Sequence, residues 1–398
     1  MRMSNGWRLA YCTNIHRGES WEQTRSALEQ HTLSVRDRVC GRETPFAIGL
    51  RLGAEAARDL ADRQKRLEFR DWLARENAFV FTINGFPYGS FHGVRVKEDV
   101  YRPDWTTTDR VEYTQALFHI LADILPEGES GSVSTVPASY KEFIQTPDQV
   151  DTMIANLWEM VDFLEDLSNK TGRDFHLGLE PEPLCYLETS AELIAFFERL
   201  RAARPGDDRI DRRLGVNYDT CHLAIEYEAP EIALRQIHDA GIRLSKVHLS
   251  SAIKTEPTEV ARTQLRPFAD PVYFHQVVEK RPGDQELRRF RDLDDALRIA
   301  EIEPPVPGSE WRVHFHIPLH ESGTPPLLPT QDHVSGAIQW LQARPELCQH
   351  FEMETYTWET LPNELRSVDV VDQLAKEYEW TFSQLSNHEV FPAEAPKS

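Results

Sequence analysis

Short apolar runs alternate along the chain with longer segments whose apolar residues recur at helical spacing. The runs predict nine strands, at residues 8–13, 47–52, 79–83, 132–136, 175–179, 214–218, 244–249, 313–317 and 351–356. The longer segments predict helices, among them 21–39, 54–75, 150–167, 191–201, 332–342 and 368–385. Repeated strand–helix alternation requires a parallel sheet with helices outside it, and eight such units close most economically into a (β/α)8 TIM barrel.

Nine predicted strands are one more than this barrel needs, so either one strand lies outside it or one strand assignment is wrong. Residues 250–307 are rich in proline and charge, with a strand expected at 273–279 and a short helix at 293–300. We expect this segment to be an insertion over one mouth of the barrel, because a structureless loop of that length is improbable in a compact domain. The sequence therefore predicts a single domain over residues 1–387, followed by a flexible C-terminal tail at 388–398.

Acidic residues and histidines stand where several predicted strands end, and all these ends face one mouth of a parallel barrel. They are Glu180, Asp219 with His222, His248, and the pair Glu352 and Glu354. Taken singly, such residues are commonly helix caps, solvated loop residues or hydrogen-bonded core histidines. Together they would bury several like charges, which is costly unless a cation neutralises them. The pattern therefore predicts a divalent metal site, and one imidazole with three carboxylates suits Mn²⁺, Zn²⁺, Co²⁺ or Mg²⁺ equally.

These motifs resemble those of the xylose isomerase-like TIM barrels, which include sugar phosphate isomerases and epimerases and hydrolases of the endonuclease IV type. The resemblance lies in the words LGLEP at 177–181, DxxH at 219–222, VHL at 247–249 and a glutamate on a late strand. It implies that Glu180, Asp219, His248 and the late glutamate are metal ligands and that His222 contacts the substrate. Glu354 is preferred to Glu352 because, like Glu180, it lies nearer the end of its strand.

Longer words resemble one branch of these barrels, the EboE family of metabolite traffic proteins. They are YCTNIH at 11–16, FTINGFPY at 81–88, VKEDVYRPDW at 96–105, EPEP at 180–183 and ETYTW at 354–358. This resemblance implies that the protein processes or hands over a small metabolite before its export, together with other proteins of a shared gene cluster.

Weaker candidates for substrate contacts are Glu182, Asn84 and His16, in addition to His222 and His316. His314 and His316 share one face of the predicted strand 313–317, which departs from the pattern of the wider family. One of them could be a ligand or a substrate contact, and otherwise both are structural. The loop 86–108 is long enough to cover the mouth as a lid.

Composition narrows the classes of partner. The 44 lysines and arginines and the 65 acidic residues give a net charge of −21, which disfavours nucleic acid and anionic membranes. No secretion signal or stretch of 18 apolar residues occurs, so we expect a soluble cytoplasmic protein. The absence of glycine-rich phosphate-binding motifs argues against a bound nucleotide.

The family resemblance implies that Glu180 and Glu354 exchange a proton with a metal-bound hydroxy-ketone from opposite sides, as in isomerases and epimerases. A carrier or adaptor that kept the pocket and lost turnover is the alternative. A hydrolase of the endonuclease IV type is disfavoured, because no basic groove draws a phosphodiester towards so acidic a protein.

Overall fold

The computed structural model describes residues 1–93, 95–362, 366 and 369–386. Its strands are β1 Arg8–Tyr11, β2 Phe46–Arg51, β3 Ala78–Asn84, β4 Gly131–Thr135, β5 Phe175–Leu179, β6 Leu214–Asp219, β7 Arg243–Leu249, β8 Ser251–Thr255, β9 Val277–Lys280, β10 Arg288–Phe290, β11 Glu310–Ile317, β12 Leu328–Pro329 and β13 His350–Met353. Its α-helices are α1 Trp21–Ala27, α2 Leu33–Val39, α3 Ala54–Asp59, α4 Arg63–Arg75, α5 Thr108–Ile124, α6 Pro147–Thr171, α7 Ser190–Ala203, α8 Arg209–Arg213, α9 Thr220–Ile225, α10 Pro230–Asp239, α11 Glu259–Leu265, α12 Leu293–Ile302, α13 Gln331–Gln342 and α14 Val370–Ser386.

Eight parallel strands form the barrel, in the order β1-β13-β7-β6-β5-β4-β3-β2. An isolated parallel bridge between Cys12 and Gly49 brings β1 to β2 and nearly closes the circle. The strands are buried on both faces and the helices pack around them, which confirms the predicted TIM barrel.

Local signals explain where the best-predicted helices begin and end. Helix α6 begins with Pro147 in its first turn behind a capping box of Thr146 and Gln149, and it ends at Gly172, which has a φ of 68°. Helix α7 begins at a second capping box, formed by Thr189 and Glu192. Helix α5 lies between β3 and β4, where the alternation of strands and helices requires a helix, and it buries polar residues such as Arg110 among its apolar ones.

Of the nine predicted strands, the one at 313–317 lies outside the barrel. It corresponds to β11, which belongs to an antiparallel sheet ordered β10-β9-β11-β8-β12. This sheet encloses a separate apolar cluster in which Leu293 and Leu297 of α12 pack with Trp311 and Val313. The sheet continues past residue 307, where we expected the insertion to end. The predicted tail at 388–398 lies outside the described residues.

Gly49 is required where the barrel closes. A Cβ atom at this position would lie 1.8 Å from Oε1 of Glu352 and 2.6 Å from the backbone oxygen of Tyr11. We expect Gly49→Ala to lower the free energy of unfolding by about 1–3 kcal/mol, since overpacking must displace a buried carboxylate or a strand. Denaturant unfolding measures this, with Gly89→Ala as the control because a Cβ there meets no atom within 4 Å. Equal losses in the two variants would contradict the steric argument.

Glu377 of α14 makes the stability depend on pH. Burial raises its pKa to about 8, although Thr355 and Gln373 donate hydrogen bonds to its carboxyl group over 3.0 and 3.1 Å. The pKa of an unfolded glutamate is about 4.3, so between these values the folded state binds the extra proton and stability falls as pH rises. We expect unfolding free energies measured from about pH 5 to about pH 8 to fall more steeply in the wild type than in Glu377→Gln. Parallel curves for the two proteins would contradict this assignment.

Candidate functional site

The four predicted ligands meet at the carboxyl ends of their strands. Glu180 follows β5, Asp219 ends β6, His248 is the penultimate residue of β7 and Glu354 follows β13. One ligand atom of each lies within 4.8 Å of those of the other three, and all four side chains are buried. Nδ1 of His248 is central, at 3.2 Å from Oε1 of Glu180, 3.5 Å from Oδ2 of Asp219 and 3.3 Å from Oε2 of Glu354.

The register of the parallel strands produces this convergence. His248 on β7 is the register partner of Asp219 on β6 and of Glu352 on β13. The three side chains therefore lie at one level of the barrel. Nε2 of His248 lies 2.8 Å from Oε2 of Glu352, which also accepts a 2.6 Å hydrogen bond from Nζ of Lys246. When Nε2–H donates a hydrogen bond to Glu352, Nδ1 of the neutral ring has a lone pair, and this lone pair is directed at the cluster. Glu354 is therefore the glutamate in the cluster, and Glu352 orients the imidazole from behind.

The two oxygens of Asp219 have different surroundings. Oδ1 accepts hydrogen bonds from the backbone N–H groups of Cys221 and His222, over 2.8 and 3.0 Å, and from the hydroxyl group of Ser250, over 2.7 Å. These bonds cap α9 and fix the carboxylate. Oδ2 is buried and has no hydrogen-bond partner among the residues that the structure describes. A buried oxygen without a donor is costly, and a cation between Oδ2 and Nδ1 of His248 would remove that cost.

The charge of the cluster also calls for a cation. Burial raises the pKa of Glu354 to about 8; the imidazole of His248 opposes the rise, and the charges of Glu180 and Asp219 add to it. Glu354 thus resists ionisation beside the other two carboxylates in the protein alone. Burial would raise the pKa of Glu352 as well, but Lys246 and His248 lower it to about 2. The residues present therefore fit a divalent cation held by three carboxylates and one imidazole.

Amide side chains hold the carboxylates in place. Nδ2 of Asn217 donates to Oε2 of Glu180 over 2.7 Å. Nδ2 atoms of Asn14 and Asn84 donate to Oε1 of Glu354 over 2.8 and 2.9 Å. Each carboxylate therefore keeps its other oxygen towards His248.

A pocket of about 520 Å³, measured with its opening to solvent, lies above the cluster. Its base is polar and includes Asn14, Asn84, Glu180, Glu182, His222, His314 and Glu354. Its upper part is largely apolar and includes Phe86, Phe91, Val96, Tyr101, Tyr273, Phe274 and Tyr356. A polar base beneath a largely apolar upper part is the kind of lining that small-molecule sites have.

Two parts of the chain cover this pocket, and both were expected to do so. The loop that follows β3 contributes Val96, whose N–H donates to the backbone oxygen of Val272 in the inserted segment over 2.9 Å. In the same loop, Nζ of Lys97 lies 2.5 Å from Oδ2 of Asp292, next to α12. The loop after β3 and the inserted segment thus contact each other above the cluster of Glu180, Asp219, His248 and Glu354.

The remaining predicted residues lie at different distances from the pocket. Asn84 and His222 line it, as does Glu182, whose pKa burial raises to about 7. His316 is fully buried behind His314, and its Nδ1 lies 3.0 Å from the backbone oxygen of Glu354. His16 is not part of the pocket lining: the turn after β1 carries it outward, where its Nε2 lies 2.9 Å from the Tyr11 hydroxyl group and its ring stacks on another imidazole.

Two polar residues beneath the cluster, Asn217 and Lys246, were not among the predicted site residues. A usable signal was present, because each stands two positions before a predicted ligand, Asp219 and His248 respectively. Residues two apart on a strand face the same side. The same spacing relates Glu352 to Glu354.

Three solved structures share the fold across nearly the whole chain. A xylose isomerase-like TIM barrel protein from Mycobacterium smegmatis in complex with magnesium has a TM-score of 0.52 at 13% identity, over 96% of this chain and 97% of its own. A D-tagatose 3-epimerase-like protein has a TM-score of 0.51 at 11% identity, over 96% and 98%. L-ribulose 3-epimerase has a TM-score of 0.50 at 13% identity, over 96% and 95%. These likenesses support the TIM-barrel fold.

No family model matches the chain, and no curated protein sequence is similar to it.

We expect purified wild-type protein to contain stoichiometric divalent metal and Asp219→Asn to contain far less. Asparagine keeps an oxygen for the helix cap at Oδ1 but turns an N–H donor towards the cation. Elemental analysis of the two proteins measures the difference. Asp332→Asn is the control, since the Asp332 carboxylate is exposed and paired with Lys254 away from the cluster. Equal metal content in Asp219→Asn and the wild type would remove Asp219 from the site.

Proposed function

We propose that the protein is a divalent-metal-dependent isomerase or epimerase that acts on a small polyhydroxylated carbonyl compound. The observation that carries this proposal is the position of Glu180 and Glu354. Their carboxylates approach the same nitrogen of His248, at 3.2 and 3.3 Å, at the base of a covered pocket. Two bases on a shared centre can remove a proton from one face of a carbon atom and return it on the other.

When bound by Glu180, Asp219, His248 and Glu354, a divalent cation would stabilise negative charge on the oxygen atoms of a hydroxy-ketone. The chain's own residues supply the proton transfer. Asn217 holds Glu180, while Asn14 and Asn84 hold Glu354, so both carboxylates have fixed directions. This fixed geometry favours transfer at one carbon atom of the substrate.

The pocket provides the other requirements of this chemistry. His222 lines its base with Glu182 and can position a substrate hydroxyl group. The aromatic upper part limits the access of water to a bound substrate, which strengthens the electrostatic interactions at the base of the pocket. The fold shared with L-ribulose 3-epimerase and a D-tagatose 3-epimerase-like protein is consistent with this reaction class.

The sequence words shared with the EboE family support a narrower proposal, in which this conversion precedes the export of a metabolite. The protein would then modify the compound, and partner proteins of the same cluster would move it. None of the helices that the structure describes is long and apolar enough to cross a membrane.

The proposal predicts that the metal-loaded protein incorporates deuterium from D₂O into a ketose at the carbon next to the carbonyl group. A panel of ketopentoses and ketohexoses followed by proton NMR tests this. We expect Glu180→Gln and Glu354→Gln each to slow exchange by about 10²–10⁴-fold, the usual contribution of a general base. Glu165→Gln is the control, because its carboxylate pairs with Arg213 outside the pocket.

Binding of a panel sugar without any exchange would contradict the enzymatic proposal. It would favour instead a carrier that uses the same pocket. Exchange that survives in both variants would show that other groups move the proton.

A further inference from the structure

Aromatic rings from three separate parts of the chain meet in the upper part of the pocket. Phe91 belongs to the loop that follows β3, Tyr273 to the inserted segment and Tyr356 to the segment after β13. The ring centroid of Phe91 lies 5.1 Å from that of Tyr273 and 5.3 Å from that of Tyr356. The centroids of Tyr273 and Tyr356 are 5.2 Å apart, so the three rings form one aromatic cluster.

A second group of rings extends the aromatic part of the lining. The centroid of Phe86 lies 6.0 Å from that of Tyr101. Tyr101 stacks in turn on Tyr140 at 5.0 Å, and Tyr140 lies 6.1 Å from Phe274. Phe86, Tyr101 and Phe274 all line the pocket. Aromatic side chains hold flat apolar rings through offset and edge contacts, so this lining suits a ligand that carries such a ring.

Polar atoms in the upper lining are already bonded to the protein. The hydroxyl group of Tyr101 donates to Oε1 of Glu182 over 2.6 Å. Nζ of Lys97 lies 2.5 Å from Oδ2 of Asp292 and donates to the backbone oxygen of Asp270 over 3.1 Å. A ligand hydroxyl group placed among these residues would lose its hydrogen bonds to water and find few replacements, which is costly.

The base of the pocket has the opposite character. The amide groups of Asn14 and Asn84, the imidazole of His222 and the carboxyl group of Glu182 line it beside the metal-ligand cluster. Such groups form hydrogen bonds with hydroxyl and carbonyl groups. A ligand that matches both parts of the pocket therefore has a polar end and an apolar end.

We infer that the substrate is amphipathic, with an apolar ring, aromatic or alicyclic, joined to its hydroxy-carbonyl end. The ring would lie among Phe91, Tyr273 and Tyr356, above the cluster that holds the polar end. The inference rests on the proposed function for the chemistry of the polar end, whereas the ring is inferred from the upper lining. Free ketoses match the polar part alone, so they would exchange deuterium but bind weakly.

Three small hydroxy-ketones test the inference by isothermal titration calorimetry of the metal-loaded wild-type protein. The compounds 1-hydroxy-3-phenoxypropan-2-one and 1-hydroxy-3-methoxypropan-2-one share the polar end and differ by one ring. We expect the phenoxy compound to bind about 10–100-fold more tightly, which is the gain from burying one aromatic ring. Ribulose, which has hydroxyl groups in place of the ring, should bind no more tightly than the methoxy compound.

Two substitutions locate the ring in the pocket. We expect Phe91→Ala and Phe274→Ala each to lower the preference for the phenoxy over the methoxy compound by about 3–10-fold, because each removes an aromatic contact. Phe163→Ala is the control. It removes a ring of the same size from α6, where Phe163 contacts His119 and does not contribute to the pocket lining, so the preference should not change.

Equal affinities of the wild type for the phenoxy and methoxy compounds, or tighter binding of ribulose than of the phenoxy compound, would overturn the inference. A preference that both lining variants retain in full would also overturn it, since the ring would then bind elsewhere.

Deuterium exchange, measured separately, distinguishes this inference from the proposed function. Exchange into ketoses without any preference for the phenoxy compound would keep the isomerase proposal and remove the apolar ring. A preference for the phenoxy compound without exchange into any panel sugar or hydroxy-ketone would keep the amphipathic ligand and remove the enzymatic proposal.

Discussion

The barrel mouth depends on the contact between the imidazole of His248 and the carboxylates on both of its edges. On one edge Nε2 of the ring lies within hydrogen-bond distance of Glu352, which Lys246 holds in place. On the other edge Nδ1 faces Glu180, Asp219 and Glu354. The ion pair of Lys246 and Glu352 fixes the orientation of the His248 ring, and this orientation directs Nδ1 at the three carboxylates. Asp219 and Glu352 are thus accommodated inside the barrel because each is the register partner of His248 on a neighbouring strand.

Much of the fold was predictable from the sequence, because the barrel strands are apolar runs separated by helical segments. The position of the ligands followed from the same pattern, since Glu180, Asp219 and His248 stand at the ends of such runs. The preference for Glu354 over Glu352 rested on distance from the strand end, and the geometry of the cluster agrees with it. The buried position of Arg110 in helix α5 was not predicted, because it depends on backbone oxygens of Gly85 and Phe86, to which its guanidinium group donates.

Other features could not be predicted from a periodic pattern. Glu180 directly follows β5, whereas His16 lies five residues beyond the end of β1, after a short turn that carries it away from the pocket. The positions of His314 and His316 depend on how an antiparallel sheet packs against α9, and sequence spacing does not determine that packing. The 3.0 Å contact between Nδ1 of His222 and the backbone oxygen of Pro181 likewise forms only in the folded chain.

The inserted sheet begins only one residue after a barrel strand, since Ser250 alone separates β7 from β8. The segment that contains this sheet adds Tyr273 and Phe274 to the apolar part of the pocket lining, and His314 of β11 to its polar base. The rest of the apolar lining comes mainly from the loop that follows β3. A change in the inserted segment therefore alters the upper and the lower part of the pocket together.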